Sequence, residues 1–502
     1  MKRFAKGSSI LMIGELITKV LAIVYLIPLV VIDPNLSGMT TEIIVTFALA
    51  LTLASFGINV IMTNEIAKNL NVDKNMLKTS LINGFSLLMA FSFIAFIVMF
   101  IFAENIVSFT YDMSSPYVQD YVIGLKIASF GVILFGISAF ISSCLIGVGE
   151  YARHSVSLVI EQIFKLIIIL GLSYIAFVKM DMSLGVMYII TAISIIAPLI
   201  IKIIYLLYSL FRYDKFRMFR VGKYIREKKY VRILLFTGIV YAIGTIYVSI
   251  FDYIDISLLQ NLYSNTVPNE EFLIVKNEYV SLSYKFVMIP IQLSGAFISV
   301  MFRELTQDGK KTDTFNSMLE LIIVYSILSV LGLGLIGQDM LDMMYPSASF
   351  VGLISVQIMI IPFFIIKNFL TSYTATNTLK PRTIVISTVV LIISKIILSI
   401  VLFKVMSFYG FIVGSILAII ISTLYLIKSN TILFNFTKVF KYKALINIRK
   451  GVVLAIMFVI ISIVINSFML PIILALIIKF ILAIVLIAFV YRGYVRMFIG
   501  GI

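Results

Sequence analysis

A chain of 502 residues that is 61% hydrophobic and only 13% charged has too few ionic groups to wet a soluble globule of its size, since soluble domains carry about 25% charged residues. One cysteine, Cys144, excludes a disulfide framework, and one histidine, His154, excludes a histidine-rich metal site. The mean hydropathy of +1.11 agrees with an all-α polytopic membrane protein, and the formal charge of +16 is expected from basic cytoplasmic loops rather than from nucleic-acid binding.

Apolar stretches of ~20 residues, enough to cross a ~30 Å hydrocarbon core, recur along the whole chain. They begin near Ser9, Thr41, Thr79, Asp120, Ser155 and Leu184 and, after a break, near Val231, Lys276, Phe315, Phe350, Thr383, Gly410, Gly451 and Pro471. That reading gives about 14 transmembrane helices. The first stretch is not a cleavable signal, because Glu15 and Lys19 interrupt it and no small-residue cleavage site follows. An even number of crossings puts both termini on one side. If that side is the cytoplasm, it receives most of the Lys and Arg, among them Lys68, Lys74, Lys78, Arg153, Lys310, Lys311, Lys380 and Arg382. The opposite loops keep only Lys179, Lys276 and Lys404, beside the acids Asp33, Glu104, Asp112, Glu270, Glu271 and Asp339. The expected location is a bacterial cytoplasmic membrane with cytoplasmic termini.

The longest break, "FRYDKFRMFRVGKYIREKKYVR", carries nine Lys or Arg. It reads either as a basic surface helix gripping anionic headgroups or as a solvated linker. The expected organisation is an N-lobe over 1–210 (spans 1–6), this cytoplasmic linker over 211–232, a C-lobe over 233–433 (spans 7–12), and two extra C-terminal spans over 434–502. "ARHSVSLVIEQIFKLIIIL" and "KPRTIVISTVVLIISKIILSI" echo each other, with Lys165 and Lys395 at similar depth, as an internal duplication would have it. "GVGEYA" superficially matches a dinucleotide-binding fingerprint, but without a preceding strand it reads as a tight turn.

An ionised side chain at bilayer depth costs a few kcal/mol, so each one must face protein or water. Lys126 and Lys202 lie near span ends, where snorkelling is expected. Lys19, Lys165, Lys285, Lys395 and Lys479 lie deeper. Helical spacing aligns Glu15, Thr18 and Lys19 on span 1 and Thr52, Ser55, Asn59 and Thr63 on span 2. It aligns Tyr241, Thr245, Asp252 and Asp255 on span 7, and Ser281, Lys285, Met288, Gln292 and Ser299 on span 8. Polar faces in an apolar medium turn inward, so these four spans are expected to line one cavity, the competing reading being a polar seam that glues helices together. The deep lysines outnumber the acids Glu15, Glu161, Asp252 and Asp255, a balance that suits an anion such as pyrophosphate. Glu161 precedes Lys165 by four residues, the favourable order for a helical ion pair, which is read as a structural intramembrane pair. No external loop is long enough for a glycosyltransferase or polymerase domain, and no Walker-type loop appears, so the chain is expected to be a transporter and not an enzyme.

Several segments resemble a known group. "KGSSILMIGELITKVLAIVYLIPL", "LASFGINVIMTNEIAKNLN", "IEQIFK", "FDYIDISLL" and "LSYKFVMIPIQLSGAFISVMFREL" are similar, in order and spacing, to motifs of the stage V sporulation protein B / YtgP branch of the multidrug/oligosaccharidyl-lipid/polysaccharide (MOP) exporter superfamily. The resemblance implies a MurJ/MATE-like fold of two bundles around a V-shaped central cavity, with the last two helices forming a lipid-tail groove. It also implies a monomeric flippase, needing no cofactor, whose partners are membrane lipids and a polyprenyl-linked glycolipid, lipid II or a related precursor, moved by alternating access. Lys19 and Lys285 stand where the family has cavity arginines, while a second first-span arginine falls near Leu26, where this chain has none. The implied site comprises Lys19, Lys285, Glu15, Asn59 and Gln292 around the pyrophosphate, with Asp252 and Asp255 for charge balance or ion coupling. The alternative is a drug/cation antiporter of the MATE kind, to which the lysines and the extra spans run counter.

Overall fold

The computed structural model describes residues 2–55, 57–70, 72–110, 116–212, 247–264, 286–295, 311–344, 356–374, 381–429, 445–468 and 471–492, with single residues or pairs between 223 and 279. Among the described residues the secondary structure is helical throughout, with no strand. A segment inside hydrocarbon must satisfy every backbone N–H and C=O internally, and a helix does so within one segment.

The first helices are α1 (Lys2–Val24), α2 (Leu26–Ile32), α3 (Pro34–Ser55), α4 (Ile58–Asn69), α5 (Lys74–Ile101) and α6 (Ala103–Thr110). They are followed by α7 (Val118–Val148), α8 (Tyr151–Ser173), α9 (Val186–Phe211) and α10 (Tyr247–Leu258). A wider-turn segment, Tyr174–Lys179, prolongs α8. The later helices are α11 (Lys311–Met344), α12 (Ile360–Tyr373), α13 (Pro381–Met406), α14 (Tyr409–Ser429), α15 (Leu445–Ser467) and α16 (Ile472–Val490). Among the described residues nine helices are long and apolar enough to cross a membrane, and α12 and α16 add shorter apolar pieces.

Where the helices break, the backbone gives the reason. Gly57 has φ 66°, a left-handed conformation open to a residue without Cβ, and it separates α3 from α4. The expected single stripe of Thr52, Ser55, Asn59 and Thr63 is therefore split between two helices. Gly149, at φ 91°, ends α7 by donating its N–H to the Ile146 carbonyl at 2.9 Å, while the Glu150 N–H returns to Leu145 at 2.8 Å. "GVGEYA" is thus the turn from α7 into α8. Asp339, expected in an outer loop segment, lies within α11.

The chain divides into two compact units. The first comprises Ile10–Asn261 with Thr374–Val385, and the second Met1–Ser9, Leu262–Tyr373 and Ile386–Ile502. In the first unit Leu36, Ile43, Leu125 and Ile195 pack where α3, α7 and α9 meet. There the Tyr188 hydroxyl donates to Glu42 Oε2 at 2.7 Å, and the Tyr188 ring stacks on Tyr121 at 4.5 Å. In the second unit Val324, Leu335, Leu454, Phe458 and Ala483 join α11, α15 and α16. Tyr491 closes that cluster by donating its hydroxyl to the Asn447 carbonyl at 2.8 Å.

Candidate functional site

The candidate site lies in the first unit, where α1, α8 and α9 bring ionic groups together. Gly14 is what lets α1 approach α8: a methyl group there would lie 2.5 Å from Ser155 Cβ. Ser155 Oγ donates to the Ile10 carbonyl at 3.1 Å across the same contact. Next along α1 come Glu15 and, one turn beyond it, Lys19, four residues apart and so on one face. Thr18 lies beside them and returns its hydroxyl to the Glu15 carbonyl at 2.7 Å. Lys19 is attracted by Glu15 on its own helix and by Glu161 of α8.

Helices α8 and α9 run back to back through the turn near Met182, and Glu161 and Lys202 stand about equally far from it. Their side chains meet: Lys202 Nζ donates to Glu161 Oε2 at 2.7 Å, and Lys202 is only 6% exposed. Lys165, one turn beyond Glu161, is attracted by it and repelled by Lys19. Its ammonium sits 5.8 Å from the centroid of the buried Tyr25 ring, where the ring quadrupole favours a cation. His154 lies within the electrostatic reach of Lys202. Gln162 Nε2 is buried without a hydrogen-bond partner among the described residues, a donor left for something else to satisfy.

Among the described residues three lysines thus share two carboxylates, Glu15 and Glu161, leaving one formal positive charge in excess. The pairing differs in two ways from the sequence expectation. Glu161 takes Lys202 as its hydrogen-bonded ion pair, while Lys165 turns to Tyr25. Lys202, expected to snorkel to an interface, is buried instead because the antiparallel neighbour supplies a carboxylate at its depth. The equal distance of Glu161 and Lys202 from the α8–α9 turn was the signal that would have found this pair.

The other expected site residues distribute as follows. Asn59 is half-buried on α4, past the Gly57 break. Asp255 is buried on α10, which also carries Asp252, whose side chain lies outside the described residues. Gln292 is exposed on a helical stretch of the second unit, and Lys285 lies outside the described residues. Two of the deep lysines have local partners within the second unit. Lys395 donates to the Phe411 carbonyl at 3.0 Å and to Ser415 Oγ, and Lys479 pairs with Asp339. Lys367 on α12 is fully buried and was not weighed in the sequence reading. Among the described residues no cluster of His, Cys, Asp and Glu is arranged to hold a metal ion.

A family model for polysaccharide biosynthesis proteins matches residues 4–302. No curated protein sequence matches the chain. Among solved structures, a MATE crystal structure in complex with MaL6 superimposes with a TM-score of 0.64 at 13% identity, covering 86% of this chain and 96% of that one. An outward-facing multidrug resistance MATE family transporter of the MOP superfamily gives 0.61 at 13% identity, with coverage of 86% and 96%. A MOP superfamily transporter from Pyrococcus furiosus, described as having a binding pocket of reversed polarity, gives 0.60 at 13% identity over 86% and 96%. At such identities the likeness is one of fold, and the fold is that of a MATE-like transporter.

Proposed function

Because the chain belongs to the polysaccharide biosynthesis protein family within the MOP exporter superfamily, we propose that this multi-pass membrane transporter is a flippase that carries a polyprenyl-pyrophosphate-linked oligosaccharide across the cytoplasmic membrane. The observation that carries the proposal is the excess of ammonium groups over carboxylates, among the described residues, around α8, where Glu161 attracts Lys19 of α1 and pairs with Lys202 of α9. A lysine binds phosphate as a point charge, and attraction to it strengthens where water is scarce. Glu15 and Glu161 attract Lys19 and Lys202, reducing the cost of burying both signs. An entering pyrophosphate takes over the attraction of Lys19 and Lys165, and the protein alternates access around it. In this reading Asn59 supplies a polar contact, and Asp252 and Asp255 balance charge or couple an ion. The paired apolar helices α15 and α16 guide the prenyl tail.

A second reading is favoured by the likeness to MATE structures: a drug/cation antiporter using Glu15 and Glu161 as its cation site. Reconstitution separates the two. Purified protein in liposomes is given fluorescent lipid II or another polyprenyl-pyrophosphate oligosaccharide, and translocation is read by loss of access to an impermeant quencher. The flippase reading expects translocation of at least one of these lipids and its loss in Lys285→Ala protein that still folds and inserts. Protein that moves neither lipid yet drives ethidium uptake against an imposed ion gradient establishes the second reading instead.

A further inference from the structure

Gln162 of α8 stands among charged groups but carries no charge, and its Nε2 atom is buried with no acceptor against it among the described residues. A buried amide N–H forfeits its bonds to water, so it costs the fold stability until something arrives to accept from it. Other polar groups of the same helix do not share that cost. Ser157 donates to the His154 carbonyl at 2.6 Å, and Glu161 accepts from Lys202 at 2.7 Å.

The helical period fixes the direction in which Gln162 faces. Ser155, Gln162 and Ile169 are spaced by sevens, so they form one stripe of α8, each turned only ~20° from the last. The flanking members are buried, Ser155 at 6% exposure and Ile169 at 0%, whereas Ile163 and Phe164 on the far side of the helix are exposed. Ser155 is the residue that meets Ile10 and Gly14, so the stripe is turned toward α1. Ser155 against Gly14 and Lys165 over Tyr25 are contacts in the same order along both chains, so α1 and α8 run in the same direction. Between those two contacts lie Gln162 on α8, ~10 Å past Ser155, and Lys19 on α1, ~8 Å past Gly14. Lys165 is three residues beyond Gln162, a neighbour on the helix surface.

A neutral donor is thus held in reserve beside two ammonium groups, in the one stretch of α8 that carries excess positive charge. We propose that the Gln162 carboxamide is a direct ligand of the pyrophosphate, its Nε2–H donating to a phosphate oxygen that Lys19 and Lys165 neutralise. This deepens the flippase reading and rests on it. An ammonium attracts an anion as a point charge from any side, whereas an amide N–H bonds well only near its own axis, so Gln162 fixes where in the cluster the anion sits. The amide is already stripped of water, so binding gains a charge-assisted hydrogen bond without desolvating this donor again.

The test reads binding and stability rather than transport. The purified full chain in detergent is titrated with farnesyl pyrophosphate and, for the same tail without the anion, with farnesol. Gln162→Met keeps the length of the side chain and removes the donor. It is expected to weaken farnesyl pyrophosphate binding about 10-fold or more and to leave farnesol unaffected. Because the unsatisfied N–H is gone, the same variant is expected to unfold about 1–3 °C later than the parent without ligand. Gln162→Glu sets a carboxylate beside the lysines and is expected to abolish pyrophosphate binding. A Gln162→Met protein that binds farnesyl pyrophosphate as the parent does overturns the proposal and leaves the flippase reading standing. One that unfolds earlier than the parent also overturns it, since the amide is then a structural group. A parent that binds farnesyl pyrophosphate no better than farnesol removes the anion site itself, and the flippase reading falls together with the role of Gln162.

Discussion

In the second unit each of two deep lysines has its own partner: Lys395 of α13 is held by the Phe411 carbonyl and the Ser415 hydroxyl of α14, and Lys479 of α16 by Asp339 of α11. In the first unit Lys19, Lys165 and Lys202 divide Glu15 and Glu161 among them, and one ammonium rests over an aromatic ring rather than against an acid. Both arrangements avoid bare charge in hydrocarbon, but only the second leaves attraction for a ligand to use. Depth alone therefore does not mark a lysine as a binding residue; what its neighbours leave unneutralised does. The likeness between Lys165 and Lys395 in sequence depth hides this difference, because their partners come from other helices.

The comparison breaks most visibly at Lys479. Its side chain is 1% exposed, so removing the only carboxylate hydrogen-bonded to it among the described residues leaves a buried charge with nothing of opposite sign against it. Asp339→Ala is expected to lower stability by about 3–5 kcal/mol, seen as an earlier thermal unfolding transition in detergent. The double change Asp339→Leu with Lys479→Met is expected to recover most of that loss, since a buried pair is replaceable by apolar packing. A single mutant as stable as the parent would mean that the second unit does not depend on local neutralisation.

Lys19 gives the opposite expectation. Its neighbours Lys165 and Lys202 keep Glu161 paired when Lys19 becomes Gln, and Glu15, which loses its attracting cation, is only half-buried, so the fold loses less than at Lys479, about 1–2 kcal/mol. Translocation of the lipid-linked glycan is expected to fall about 10- to 100-fold, equivalent to about 1.4–2.7 kcal/mol. Rates from proteoliposomes set beside unfolding curves of the same preparations check both halves. Should Lys19→Gln unfold the protein while leaving flipping intact in what remains folded, the two units would be alike and the cluster structural.

Much of this was legible along the chain and some of it was not. The starts expected near Asp120, Ser155 and Leu184 fall within a few residues of α7, α8 and α9, because an apolar run has no other way to satisfy its backbone in hydrocarbon. The face shared by Glu15 and Lys19 was readable for the same local reason, being a matter of one helix's period. The Gly57 break was not, since glycine within an apolar helix is as often tolerated as disruptive. The Glu161–Lys202 pair was legible only through its equal spacing from the α8–α9 turn and not through any helical period. Sequence proximity offered Lys165, whereas the choice was made by packing between antiparallel helices, which a one-dimensional period does not see.

Lys126 supplies the smallest expected effect and the control for the rest. It lies on α7 with its side chain 37% exposed, 3.8 Å from a Glu104 carboxylate that is itself 72% exposed. Both ends of the pair keep access to solvent, so Coulomb attraction is screened and offset by the entropy of holding two long side chains together. Lys126→Gln keeps most of the apolar stem and is expected to change stability by less than about 0.5 kcal/mol, and transport not measurably. Lys202 was read from sequence in the same way, as a lysine near a span end, yet it is buried against Glu161 at 2.7 Å. Lys202→Gln measured in parallel should therefore cost several times more than Lys126→Gln. Equal costs at the two positions would show that lysine burial in this unit carries no energetic weight, and the charge excess assigned to the cluster would lose its physical basis.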